Sequence, residues 1–178
     1  YDRLVSTLPF PQLLDICKLV YPDDVFSCNK VLVFNLGFDS KGNDKLNSWV
    51  YVPEKEFIFY RIGYYDNIMN TDRMSLYVEI GFSQKQEMLK EGLYLDRILS
   101  DLRKMGIITT QKLVDYEAVL MNPAYVHINK KSVETVEEYK EILEKNDIYS
   151  IGRYGSWTYC SIEDNILEAR ELAEKLNK

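Results

Sequence analysis

The stretch from Cys28 to Phe82 limits the possible folds more than any other part of the chain. It holds the runs "CNKVLVFNLGFDS", "SWVYVP", "EFIFYRIGYY" and "RMSLYVEIGF", each extended in character and rich in β-branched and aromatic residues. The links between them are short and polar. "SKGND" carries glycine and asparagine turn chemistry, and "PEKE" reads as a tight turn. Parallel neighbours need long crossovers, which these links do not offer. Residues 28–39, 47–53, 57–64 and 74–82 are therefore expected to form one largely antiparallel sheet.

The hydrophobic period changes at Gln86. Met88, Leu95, Leu99, Leu102 and Met105 keep one helical face, and Gly106 supplies a stop. "QKLVDYEAVLMNPAYVHIN" returns to extended character. "SVETVEEYKEILEKN" then places Val133, Val136, Tyr139, Ile142 and Leu143 inward on a second helix. Nearer the start, "DRLVSTLP" reads as a short strand ended by Pro9, and "FPQLLDICKLV" as a helix with Pro11 in its first turn. "DIYSIGRYG" reads as a strand entering a glycine turn. The last helix carries Ile162, Ile166, Ala169, Ala173 and Leu176 at alternating steps of four and three, and Ser161 with Asp164 fits a capping box. The fold class is α+β, one antiparallel sheet with helices packed on it, and 178 residues suffice for a single domain.

What the chain lacks narrows its chemistry. The net charge is −6, which argues against nucleic acid, where phosphate neutralisation needs a basic surface. Cys17, Cys28 and Cys160 form no CxxC pair, and an odd count is a poor disulfide framework. Free thiols in a reducing, cytoplasmic compartment follow. His127 is the only histidine, so no His-rich metal site is expected, and a nucleophile–His triad would have to use that one residue. A lone histidine after "PAYV" reads as a half-buried strand residue. No GxGxxG, Walker A loop or HExxH occurs, and no apolar run has the length of a membrane span. The chain opens on Tyr1 within a strand-like segment, which reads as a piece of a longer protein.

Two stretches combine rings with a cation. In the expected hairpin, alternation puts Trp49 and Tyr51 together and gives Phe57, Phe59 and Arg61 a common face. An arginine in such a run is either an edge residue stacked on rings and paired with a carboxylate, or a two-pronged anion clamp. Pattern alone favours the first. In "GRYGSWTY", Gly152 and Gly155 permit close backbone approach, and Arg153 could reach a phosphate or a polarised ring oxygen. The helix after Ser161 points its positive end nearby. Glu163 and Asp164 compete with an anion there and suit a neutral carbonyl or a ribityl hydroxyl. The structural alternative is a strand–turn–helix connection whose aromatics plug the sheet.

In this order, "YDRLVSTLP", "WVYVPEKEFIFYRIGYYDN", "SLYVEI", "PAYV" and "DIYSIGRYGSWTYCSIEDNI" resemble the second half of flavin-dependent UDP-galactopyranose mutases and their amine-oxidase and protoporphyrinogen-oxidase-like relatives. The resemblance covers most of the chain. It implies a fragment of a two-domain FAD-dependent fold: a substrate domain over about residues 10–150, and a returning strand–turn–helix over 151–178 that covers the flavin. The GxGxxG segment that binds FAD would precede it and act as its partner. By the same resemblance, Arg61 matches the arginine that holds substrate diphosphate, and Trp49 and Tyr51 match pocket aromatics. Tyr125 and Tyr159 match tyrosines that contact the diphosphate, Gly152 and Arg153 match a turn beside flavin and substrate, and Glu163, Asp164 and Asn165 stand at a flavin contact. Ile68 stands where many mutases place a tyrosine. The implied activity is that of a flavoenzyme on UDP-sugars in surface-polysaccharide synthesis, with the fragment alone inactive. Catalysis would draw on FAD, with no side-chain nucleophile and no metal. The alternatives are an oxidase acting on amines or porphyrinogens, which has no use for Arg61, and a non-catalytic binding module.

Overall fold

A computed structural model describes residues 2–177. In chain order the elements are β1 (Leu4–Ser6), α1 (Phe10–Ile16), β2 (Ser27–Phe38), β3 (Trp49–Tyr51), β4 (Arg61–Tyr64), α2 (Tyr65–Ile68), β5 (Ser75–Ser83), α3 (Glu91–Lys104), β6 (Leu113–Met121), β7 (Val126–His127), α4 (Lys130–Glu144), β8 (Ile148–Ser150), α5 (Gly152–Gly155) and α6 (Ile162–Leu176). They form two compact units. One is Asn29–Ala124; the other takes the chain up to Cys28 and from Tyr125 onward. The joins therefore fall at 28/29 and 124/125.

The Asn29–Ala124 unit is the expected antiparallel sheet, in strand order β3-β4-β5-β2-β6. Alternation decides its faces. Leu32, Phe34, Leu36 and Phe38 of β2, Ile62 and Tyr64 of β4, and Leu76, Val78, Ile80 and Phe82 of β5 are all buried in one cluster with Tyr94, Ile98 and Leu102 of α3. The intervening residues, among them Trp49, Tyr51, Arg61, Tyr77, Glu79, Asn35 and Glu117, turn to the other face. Buried Asp101 on α3 accepts from the Ile58 N–H at 3.0 Å and pairs with Arg97 at 2.9 Å, which pins the entry to β4.

Two expectations need correction here. "EFIFYRIGYY" is a strand only over Arg61–Tyr64, and Phe57, Phe59 and Arg61 do not share a face. Phe57 and Phe59 belong to the core cluster. The alternation slips at Tyr60: its N–H donates to the Glu79 carbonyl, while Arg61 is the register partner of that same residue. Two residues opposite one is a β-bulge, and it sends Arg61 away from the phenylalanines. The helix expected from Gln86 begins at Glu91; just before it, the Leu89 N–H donates to the Tyr94 hydroxyl at 3.0 Å.

In the other unit, β1 and β8 pair in parallel, and β7 pairs with Ser27 and Cys28 of β2. Phe10, Leu13 and Leu14 of α1, Val136 and Leu143 of α4, Cys28 and Trp157 form its core. The capping box at Ser161 and Asp164 is present, and Asn129 with Ser132 makes a second one on α4. His127 is exposed rather than half-buried, and its Nδ1 lies 2.9 Å from the Ser27 hydroxyl.

Candidate functional site

The open sheet face of the Asn29–Ala124 unit is organised around Arg61. Its Nη2 lies 2.5 Å from Oε1 of Glu79, a carboxylate that is only 5% exposed. The Tyr60 hydroxyl donates to the other Glu79 oxygen. A buried carboxylate is costly unless paired, and these partners meet that cost. The Arg61 guanidinium carbon stands 5.8, 5.9 and 6.0 Å from the ring centroids of Tyr51, Tyr60 and Tyr77. Nη1 of Arg61 is 3.4 Å from the Tyr51 hydroxyl. The result is a fixed guanidinium ringed by phenols. Trp49 and Tyr51, 56% and 62% exposed, sit beside it on the edge strand β3.

Gly63 makes this layout possible. A Cβ there would lie 1.8 Å from a Tyr77 ring atom, so the Tyr77 ring covers the glycine backbone. Burial pushes the Tyr77 phenol above its ordinary value; neighbouring Glu79 adds to the rise and Arg61 opposes it.

Arg153 organises a second cluster, within the other unit. Gly152 has φ +84°, a left-handed value that favours glycine, and it turns the chain from β8 into α5. At Gly155 a Cβ would meet the Ser150 hydroxyl at 3.0 Å and the Ser6 carbonyl at 3.2 Å, so only glycine lets these backbones approach so closely. The Arg153 guanidinium carbon lies 5.2 Å from the Tyr125 centroid and 4.6 Å from that of Tyr159. The two rings are stacked at 6.3 Å. Among the described residues no carboxylate forms an ion pair with Arg153. Trp157 and Tyr159 part company: Trp157 is buried against Phe26, while Tyr159 is 70% exposed.

The residues expected at a flavin contact are mostly engaged within the protein. The Gly152 N–H donates to Glu168 at 2.7 Å, and the Arg153 N–H to Asn165 Oδ1 at 2.9 Å. Asn165 Nδ2 donates to the Ser161 carbonyl at 2.7 Å. Asp164 accepts the Ser161 N–H at 2.7 Å, and this bond holds its carboxyl below the ordinary value. The N-terminus of α6 is thus capped by its own acid. Glu163 is exposed on the first turn.

Sequence reasoning missed Glu79 and Tyr60 as the fixers of Arg61, and Glu168 as the anchor of α5. The glutamate in "SLYVEIGF" occupies an outward position on a strand otherwise apolar at its inward positions, a usable signal. Among the described residues no group of three or more His, Cys, Asp or Glu side chains could hold a metal, and no helix is long and apolar enough to cross a membrane.

No protein-family model and no curated protein matches the sequence. Solved structures do match. A reduced UDP-galactopyranose mutase is similar over 89% of this chain at 24% identity, with a TM-score of 0.72. A protein described as a putative protoporphyrinogen oxidase from Exiguobacterium sp. 255-15 is similar over 98% at 13% identity, with a TM-score of 0.76. A fatty acid isomerase of P. acnes that produces CLA matches over 98% at 13% identity, with a TM-score of 0.62. The chain spans 37% of the first structure and 41% of the other two. The α+β fold with its mainly antiparallel sheet is therefore the one found in part of these enzymes, as the sequence resemblance implied.

Proposed function

We propose that the chain is the substrate-side portion of a longer FAD-dependent enzyme of the UDP-galactopyranose mutase type, acting on a UDP-sugar for surface-polysaccharide synthesis. The observation that carries this reading is the fixed guanidinium of Arg61 among the rings of Tyr51, Tyr60 and Tyr77, with the Tyr51 hydroxyl 3.4 Å from its Nη1, on a fold that matches the mutase over 89% of the chain. A guanidinium and the phenol hydroxyl of Tyr51 are donors suited to phosphate oxygens. Glu79 holds the guanidinium by one edge, so its role is to aim the cation. Trp49 and Tyr51 offer exposed rings for the organic part of the ligand.

FAD fits the second cluster only at its edge. Arg153 carries a charge that no carboxylate of the described residues pairs with, which suits the electron-rich side of a flavin ring. The first N–H groups of α5 are already taken, and the sequence has no glycine loop for the pyrophosphate. That moiety belongs to a segment outside this chain. FAD, when bound, supplies the nucleophilic and redox chemistry in this class of enzyme. The residues of this chain then bind, orient and stabilise charge.

One observation favours a second reading. Glu79 neutralises Arg61, and an oxidoreductase acting on an uncharged substrate would need no free cation there. The test is to purify the full-length protein, record its visible spectrum for flavin, and titrate it with UDP in a calorimeter. Flavin with saturable UDP binding supports the mutase-type reading. Flavin without UDP binding moves the assignment to the oxidoreductase, and no flavin removes both.

A further inference from the structure

Helix α6 meets its unit by a partly polar stripe. Its half-buried residues Asn165, Glu168, Leu172 and Leu176 recur at steps of three and four, while Ile162 and Ile166 are 82% and 63% exposed. The amide and the carboxylate of that stripe reach α5, a single turn whose first N–H groups have no acceptor inside the helix. Ile151, the N-cap residue of α5, supplies no side-chain acceptor either. Glu168 Oε2 takes the Gly152 N–H at 2.7 Å, and Asn165 Oδ1 takes the Arg153 N–H at 2.9 Å. Another helix thus does the work of a cap. Just past the turn, the Ser156 hydroxyl donates to Glu168 Oε1 at 2.6 Å. Lys140 of α4 donates to the same hydroxyl oxygen at 2.7 Å and stands 3.5 Å from Glu168, so its charge offsets that of the carboxylate.

We infer that Glu168 and Asn165 are positioning residues for Arg153. The only buried residue of α5 is Gly155, so no side chain of the turn anchors it in the core. Its Gly155 end is fixed by close approach to Ser6 and by the Ser150 hydroxyl, which donates to the Gly155 carbonyl at 2.8 Å. Its Arg153 end is held by the two acceptors of α6. From there the guanidinium carbon reaches 5.2 Å from the Tyr125 centroid and 4.6 Å from that of Tyr159. A cation gains from a ring only within about 6 Å, so a small rotation of the turn about its fixed end is enough to lose both contacts. Asn165 is bonded on both sides, through Oδ1 to Arg153 and through Nδ2 to the Ser161 carbonyl. It therefore acts on the aim of the cation rather than on a flavin. The inference rests on the proposed FAD reading only for what Arg153 meets.

The experiment uses the full-length protein labelled with 15N at arginine. The Arg153 Nε–Hε signal, assigned by its loss in Arg153→Lys, is expected upfield of solvated arginines because the guanidinium lies over two rings. Glu168→Ala and Asn165→Ala should each return it most of the way to the solvated position. Glu168→Gln keeps an acceptor for the Gly152 N–H and should retain most of the shift. Leu172→Ala removes packing from the same stripe without touching either bond, and should leave the signal in place. An unmoved signal in both alanine variants, or an equal movement in Leu172→Ala, overturns the inference. The midpoint potential of the bound flavin is a second readout. Deleting a carboxylate would by itself raise it, whereas misaiming Arg153 removes a cation and lowers it. Glu168→Ala is expected to lower the potential, and to lose that effect in an Arg153→Ala background. A rise, or the same fall in both backgrounds, overturns the inference. A full-length protein without flavin removes the proposed function, and the Arg153 signal still decides whether Glu168 and Asn165 position it.

Discussion

Replacing Arg61 with alanine separates a structural role from a binding role. Glu79 is 6% exposed at its side chain and Arg61 is 23% exposed, so the pair is largely but not wholly shielded. Removing one partner of a fully buried pair costs about 3–5 kcal/mol. Here water can follow the deleted side chain, and Tyr60 still donates to Glu79, so about 2–3 kcal/mol is the expected loss. For a chain of this size that lowers Tm by roughly 5–10 °C. Arg61→Ala combined with Glu79→Gln should recover most of it, because a neutral amide can accept from Tyr60 without a cation nearby. UDP affinity behaves differently: it is expected to fall by roughly ten- to a hundredfold in Arg61→Ala and to stay low in the double variant. Thermal melts followed by circular dichroism and calorimetric titration, on the same preparations, read both quantities. A Tm for Arg61→Ala within about 1 °C of wild type would refute the burial argument. Recovery of affinity together with stability in the double variant would reduce Arg61 to a structural residue.

Further outcomes follow from other positions. Gly63→Ala should displace the Tyr77 ring and cost about 1–3 kcal/mol, visible as a lower Tm and altered near-ultraviolet dichroism, and Tyr77→Ala in the same chain should relieve it. Ser161→Ala should cost about 1 kcal/mol by removing the cap of α6, measured by urea unfolding. The Asp164 carboxyl is held below its ordinary value by the Ser161 N–H, so its contribution is present above the unfolded value of 3.8 and lost as pH falls through the lower folded value. Asp164→Asn should therefore flatten the acid side of the stability profile. Residues 1–178 expressed alone are expected to elute from gel filtration without flavin, and a stoichiometric yellow complex would contradict this.

The sheet was legible because apolar residues recur at alternate positions of its two long strands: the even-numbered positions from Leu32 to Phe38 and from Leu76 to Phe82 are apolar, and those residues share a buried cluster with α3. The α6 start was legible because capping is local chemistry between Ser161 and Asp164. Legibility failed where geometry depends on distant partners. The bulge at Tyr60 and Arg61 lies opposite Glu79 and follows Ile58, which is held by Asp101 forty-three residues away; neither partner is visible locally, so alternation alone assigned Phe59 and Arg61 to one face. The Arg61–Glu79 pair depends on the β4–β5 register, which no local pattern specifies. Asn35 and Glu117 likewise each look like an ordinary outward residue until β2 and β6 are paired and the two side chains meet.

The most direct test of the proposed function is turnover of UDP-galactopyranose by the full-length protein with its flavin chemically reduced under anaerobic conditions, with products separated chromatographically. The expected result is formation of the furanose isomer, abolished when the flavin is left oxidised and strongly reduced by Arg61→Ala. A flavin-replete protein that leaves UDP-galactopyranose unchanged in both redox states would contradict it.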